Sequence, residues 1–157
     1  MVKNSKSILL LLIALALLLT VGCSGKKAAS ADMQSVWDSI QSSVELPGMR
    51  PLSEKRMVDR YGLDAASLPQ VLVMVSEDSL RVDEVWLVEA ADSAEAEELA
   101  SSAEGYIQQV GREQKDYSPE QYAVAEKGRV VVKGPYVGLF LSPHADRMAE
   151  IFEDATG

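Results

Sequence analysis

The sequence predicts one small α+β domain: a four-stranded, mainly antiparallel sheet packed with helices, in the order α-α-β-β-α-α-β-β-α. Three observations lead there. Four apolar segments come as two close pairs, Gln70–Ser76 with 82–89 and Arg129–Lys133 with Tyr136–Leu141. Short polar or Gly-Pro links join each pair, which suits antiparallel hairpins and is too short for parallel crossovers. Between and around them, apolar residues recur at helical spacing behind recognisable caps.

The first 31 residues stand apart. Lys3 and Lys6 form a basic head, and an uncharged apolar run from Ile8 to Val21 follows. That run, about 14 residues, is short for a bilayer span, which needs roughly 20. Basic head, apolar run and small-residue exit make the plan of a secretory signal peptide. The segment Leu19-Thr20-Val21-Gly22-Cys23 resembles the lipobox of bacterial lipoproteins. In that class the cysteine sulfur receives a diacylglyceryl group and the signal is cut just before it. Gly22 fits the small position before the cut, while Thr20 stands where leucine is usual. The expected domains are a signal peptide (1–22), a lipidated Cys23 with a flexible tether (23–31) and a folded domain (32–157). Two acyl chains suffice for stable attachment, which places the protein on the outer face of the cytoplasmic membrane. The alternative is an uncleaved anchor with an incidental cysteine.

Composition narrows the partners. Cleavage leaves 135 residues, and Cys23 is the single cysteine, so the fold has no disulfide framework, thiol nucleophile or cysteine metal site. The chain has 24 acidic and 15 basic residues, net −9; without Lys3 and Lys6 the mature part is net −11. Nucleic acid, which needs a basic surface, is excluded as a partner. Docking of the domain itself on anionic lipid is disfavoured too.

Within the domain, Asp32 caps a helix carrying Met33, Val36, Trp37, Ile40 and Val44 inward, which stops before Pro47-Gly48. Residues 46–52 read as a turn-rich connector. Ser53 caps a shorter helix with Met57, Val58 and Tyr61 inward and Glu54, Lys55 and Arg56 outward, stopped by Gly62. After the first hairpin, Asp92 and Glu95 form a capping box for a long helix reaching about Gln114, with Leu99, Ala103, Tyr106, Ile107 and Val110 inward. Ser118-Pro119 restarts a short helix ending at Gly128. The second hairpin follows, and Ser142-Pro143 repeats the cap-plus-proline device before a last helix burying Ala145, Met148, Ile151 and Phe152. The two halves thus share a helix-strand-strand-helix order, though their side chains do not match as a repeat.

Chemistry is thin. His144, the only histidine, sits at the start of the last helix without a partner in the sequence for catalysis or metal binding. The pairs Glu77-Asp78 and Asp83-Glu84 flank the first hairpin and read as solvated turns; together they could hold a divalent cation only loosely. Arg129, Lys133 and Arg147 form at most a local basic patch. Tyrosines combine an apolar ring with a polar tip, and core packing competes with a binding patch of Tyr117, Tyr122, Lys133, Gly134 and Tyr136. No cofactor or metal site is indicated.

The segments 83–89 (DEVWLVE), 117–122 (YSPEQY) and 133–137 (KGPYV), in that order behind a lipobox signal, resemble DUF4358 over roughly residues 33–153. That is a family of small predicted lipoproteins of unknown function found mainly in Firmicutes such as clostridia. The resemblance implies an address and a fold; it brings no catalytic residue, ligand or cofactor. The leading functional expectation is a lipid-anchored, non-enzymatic binding or accessory module of the cell envelope, recognising a protein, a peptide or an envelope component. The alternatives are a cell-wall or extracellular hydrolase using carboxylates, and an accessory lipoprotein of a transporter or sporulation complex. The sequence leaves the oligomeric state open.

Overall fold

A computed structural model describes residues 30–157. In chain order these form α1 (Met33–Ser43), β1 (Met49–Pro51), α2 (Glu54–Tyr61), β2 (Gln70–Ser76), β3 (Glu84–Glu89), α3 (Ser93–Gln114), α4 (Pro119–Glu126), β4 (Arg129–Lys133), β5 (Tyr136–Leu141) and α5 (Ala145–Thr156). Residues Ala31–Gly157 make one compact unit. The expected signal peptide, its cleavage site at Gly22-Cys23, the lipidation of Cys23 and nearly all of the tether lie outside the described residues. Among the described residues no helix is long and apolar enough to cross a membrane.

Short polar side chains set most helix starts. Asp32 accepts from the Gln34 and Ser35 amides, Asp92 from Ala94 and Glu95, and Ser118 from Gln121. Each satisfies amides that have no partner inside the helix. The Glu95 carboxylate reaches back to the Ala91 amide at 2.7 Å, one residue before the cap. Ser53 stands at the start of α2 but makes no side-chain cap. Before α5, the Ser142 hydroxyl accepts from the His144 amide inside a turn, and His144 takes the cap position. Gly62 ends α2 with φ of 69°, a left-handed conformation that glycine adopts without steric cost.

The sheet has five strands, not four, all antiparallel, in the order β1-β2-β3-β5-β4. The element order is therefore α-β-α-β-β-α-α-β-β-α, correcting the expected one. The missed strand, β1, lies inside the proline-rich connector and pairs Met49, Arg50 and Pro51 with Ser76, Val75 and Met74. Proline carries no amide hydrogen, so it is tolerated on an edge strand, and three residues leave no readable period. The two expected hairpins form, and their second strands, β3 and β5, meet at the centre of the sheet.

Helices cover both faces. On one, Val73, Val75, Trp86, Leu139 and Leu141 pack under α2, α3 and α4. Buried Ala96, Ala100 and Ala103 let α3 lie close to the strands. On the other, Met74, Val85, Leu87 and Phe140 pack under α1 and α5. There Gly138 makes room for the edge-to-face pair Phe140–Phe152, whose centroids are 5.8 Å apart; a Cβ at Gly138 would stand 2.7 Å from the Phe140 ring. Val58, expected inward, is 47 % exposed. The helices that follow the two hairpins, α3 and α5, sit on opposite faces. A two-fold relating the hairpins would keep them on the same face, so the shared order of the halves is not a structural repeat.

Candidate functional site

Glu84 opens β3 on the same face as Trp86 and Val88, because side chains alternate along a strand. That face is covered, so the carboxyl is buried, 4 % exposed. It is not left bare. The Trp86 indole N–H donates to Oε1 at 2.5 Å and the Tyr106 hydroxyl to Oε2 at 3.0 Å. Tyr61, Trp86 and Tyr106 cluster beside it with centroids 4.5 to 5.5 Å apart: Trp86 stacks on Tyr106, and Tyr61 meets Tyr106 edge-on and Trp86 at a tilt. The Tyr61 hydroxyl is buried and makes no hydrogen bond of good geometry. Burial raises the Glu84 pKa above the usual carboxylate value, and the Trp86 and tyrosine donors oppose that only in part. Burial, then the Glu84 charge, pushes the Tyr61 and Tyr106 hydroxyls up as well.

Above this carboxyl, between α2, the C-terminal half of α3 and the β2–β3 turn, lies a polar cleft of about 360 Å³. Arg50 reaches it from β1, Arg56 and Arg60 from α2, and Arg81 from the turn. Arg56 and Arg60 are four residues apart and share a helix face, where like charges cost roughly 0.2–0.5 kcal/mol. Arg60 lies over the Tyr61 ring at 5.2 Å, a cation–π contact. Its partial burial opposes the charge, and the facing Tyr61, Tyr106 and Glu84 outweigh this and raise its pKa. Arg81 pairs with Asp83 at 2.9 Å. Among the described residues Arg50 and Arg56 make no ion pair.

The same cleft is lined by Asp78 and Asp83 from the turn and by Glu113 and Gln114 from α3. The Asp83 side chain is 1 % exposed; one oxygen holds Arg81, and the other, Oδ1, is buried without a donor, as is Gln114 Oε1. Asp83-Glu84 is therefore not a solvated turn, while Glu77 and Asp78 are exposed as expected. Among the described residues no three of His, Cys, Asp and Glu converge to hold a metal ion.

The tyrosine patch falls into two groups. Lys133 and Tyr136 are register partners in the β4–β5 hairpin, whose turn Gly134 makes with φ of 57°. Tyr136 is 9 % exposed, and its hydroxyl accepts from the Ala31 amide at 3.0 Å. The Ala90 amide donates to Pro135, placing this turn beside the start of α3. Tyr117 follows the other end of that helix and is 74 % exposed. Tyr122, on α4, lines a more open, largely apolar hollow of about 450 Å³ between α3 and α4. A helix of 22 residues is about 33 Å long, so α3 keeps the two groups apart. His144 is exposed, Arg129 pairs with Asp146 and Arg147 with Glu150.

Sequence reasoning missed the arginine cleft. Arg50 lay in the connector, Arg56 on an outward face, and Arg60 drew no attention. Two signals were there to read: a carboxylate on the buried face of an apolar strand, and arginines at i, i+4. In comparisons with known proteins, the model of DUF4358, a domain of unknown function, matches residues 42–142. The matched segment holds every residue that lines the cleft, while α5 and most of α1 lie outside it. No curated protein and no solved structure matches the chain. With about two thirds of its length under the family model, this chain belongs to the DUF4358 family.

Proposed function

We propose that the protein is a lipid-anchored, extracytoplasmic lipoprotein of a Firmicutes-type cell envelope that binds a small anionic ligand without transforming it. One observation carries the binding role: four of the seven arginines of a net-acidic chain line a single cleft. Arginine presents planar, paired donors that match carboxylate and phosphate oxygens. Asp78, Asp83, Glu84 and Glu113 line the same cleft, and Asp83 takes up Arg81, so the donors that support the reading are those of Arg50 and Arg56, which have no ion pair among the described residues. The lipobox-like segment ending at Cys23 supports the anchor. The chain enters the domain where Gln70 donates to the Ala31 carbonyl at 2.8 Å, in the row Gln70–Glu89–Tyr136. The cleft adjoins the opposite row, Arg50–Val75–Glu84–Leu141, about 17 Å along β3. Within the domain, Ala31 and the cleft therefore lie at opposite ends of β3.

Glu84, a carboxyl of raised pKa beside a cleft, favours a hydrolase as the second reading. Both of its oxygens are held by Trp86 and Tyr106, which suits a clamp for the cleft floor better than a proton donor to substrate.

Native mass spectrometry of the acylated protein extracted from its own membranes tests the binding role. A bound anionic species is expected in the wild type and not in R56Q/R60Q. A C23A variant should lose the diacylglyceryl mass and leave the membrane fraction. An adduct unchanged in R56Q/R60Q, or none in either protein, overturns the binding role.

A further inference from the structure

The sheet ends in two unlike edges. β1 is three residues long and carries Pro51, which has no amide hydrogen to offer a further strand. β4 is five residues long, Arg-Val-Val-Val-Lys, without proline, and among the described residues its one strand neighbour is β5. The two-residue turn Gly134-Pro135 makes Lys133 and Tyr136 the closing hydrogen-bonded pair of the hairpin. The Ala90 amide, bonded to the Pro135 carbonyl, fixes the same phase from the β3 side. Bonded and non-bonded pairs alternate from there, so Arg129, Val131 and Lys133 bond β5, while Val130 and Val132 turn their amides and carbonyls away from it. Among the described residues those outward groups make no hydrogen bond.

The side chains of β4 decide what pairs with it. Arg129 and Lys133 are exposed at its ends, and the three valines between them are half-buried. Lys133 makes no ion pair among the described residues. Arg129 pairs with Asp146, but both side chains are exposed and such pairs hold weakly. A hollow of about 300 Å³, lined by Glu104, Ile107, Gln108, Gly128, Arg129 and Val130, adjoins the start of the strand. A second copy is a poor occupant. In the antiparallel register that overlaps all five residues, Arg129 of each copy stands opposite Lys133 of the other, and like charges directly opposite are destabilising. The chain's own segment 24–29 brings Lys26 and Lys27 to the same cations. We propose that β4 is the docking edge for an extended, acidic segment of a partner protein, added antiparallel as a sixth strand. Carboxylates four residues apart in the partner meet Arg129 and Lys133, and its main chain between them pairs with Val130 and Val132. This site is separate from the arginine cleft and does not rest on it.

Fluorescence anisotropy of labelled, end-capped heptapeptides, titrated with the acylated protein in detergent, tests this. The acidic probe is Gly-Glu-Thr-Val-Thr-Glu-Gly, and saturable binding is expected. The same peptide with lysines in place of the glutamates should bind about tenfold more weakly or worse. So should the acidic probe N-methylated at both threonines, which stand opposite Val130 and Val132; about tenfold is the scale of two lost main-chain hydrogen bonds. K133E should shift the preference towards the basic probe. V130P, which removes an outward amide and no bond to β5, should weaken the acidic probe. The N-methylated peptide needs no variant, so a poorly folded V130P does not decide the matter. R56Q/R60Q should bind the acidic probe as the wild type does; loss of binding there would move the peptide to the arginine cleft and overturn the inference. Equal binding of the acidic and N-methylated probes, equal binding of the acidic and basic probes, or no saturable binding would overturn it as well. A wild type that sediments as a dimer and becomes a monomer in V130P would assign the edge to a second copy instead.

Discussion

Alternate residues of β3 enter opposite layers and meet different company. Val85 and Leu87 pass under α1 and α5 into an apolar layer closed by the Phe140–Phe152 pair. Glu84, Trp86 and Val88 pass under α2 and α3, and at the Glu84 end that layer opens into the arginine cleft. The strands are the same; what covers them differs. α1 and α5 bring Trp37, Ile40, Met148 and Phe152 to their face. The short α2 brings only Met57 fully inside and turns Arg56 and Arg60 towards the cleft. One face is therefore read as structural and the other as the working face.

Substitutions on the two faces should fail differently. The largest loss belongs to the closed face: F152A removes a fully buried ring and should cost about 3–5 kcal/mol, measured by urea denaturation. G138A comes next. Its Cβ would press on the Phe140 and Phe152 rings, both buried and unable to yield, and should cost roughly 1–3 kcal/mol. A loss of a few tenths in either would show that the face is looser than its packing.

On the open face the signature is pH. Burial raises the Glu84 pKa in the folded state, so above pH 4.5 the unfolded chain releases this proton first. Glu84 therefore favours the fold below pH 4.5, and this contribution is lost as pH rises through the folded value. Denaturation midpoints of wild type and E84Q across that range should diverge, with the downward slope due to Glu84 absent from E84Q. Parallel curves would remove the clamp from the account. Smallest of all, R56A should change stability by only about 0.2–0.5 kcal/mol, and upward, by relieving its repulsion from Arg60. A clear loss of stability would make Arg56 a structural residue.

This difference between the faces also explains what could be read in advance. Four strands and five helices carry long periods or capped starts, and Gln70–Ser76, Arg129–Lys133 and Tyr136–Leu141 lie where the apolar runs place them. β1 was illegible because three residues around Pro51 have neither period nor β-branched side chains. Its pairing depends on the neighbouring strand: the Leu52 amide donates to Val73 at 2.8 Å. The cleft was illegible for a related reason. Arg50, Arg60, Arg81 and Gln114 are far apart in sequence, and only the antiparallel β1-β2-β3 register and the crossing of α3 assemble them. Asp83 and Glu84 read as a turn because hairpin ends are usually wet; here Tyr106 on α3 covers Glu84.

The central claim is that the arginine cleft binds an anion. Isothermal titration of inorganic phosphate into the acylated protein, at low and at physiological salt, tests it most directly. Saturable one-site binding is predicted, weaker at higher salt because free charges are screened, and abolished in R56Q/R60Q with the fold intact. Binding of equal strength in R56Q/R60Q, or no saturable binding by the wild type at low salt, would contradict it.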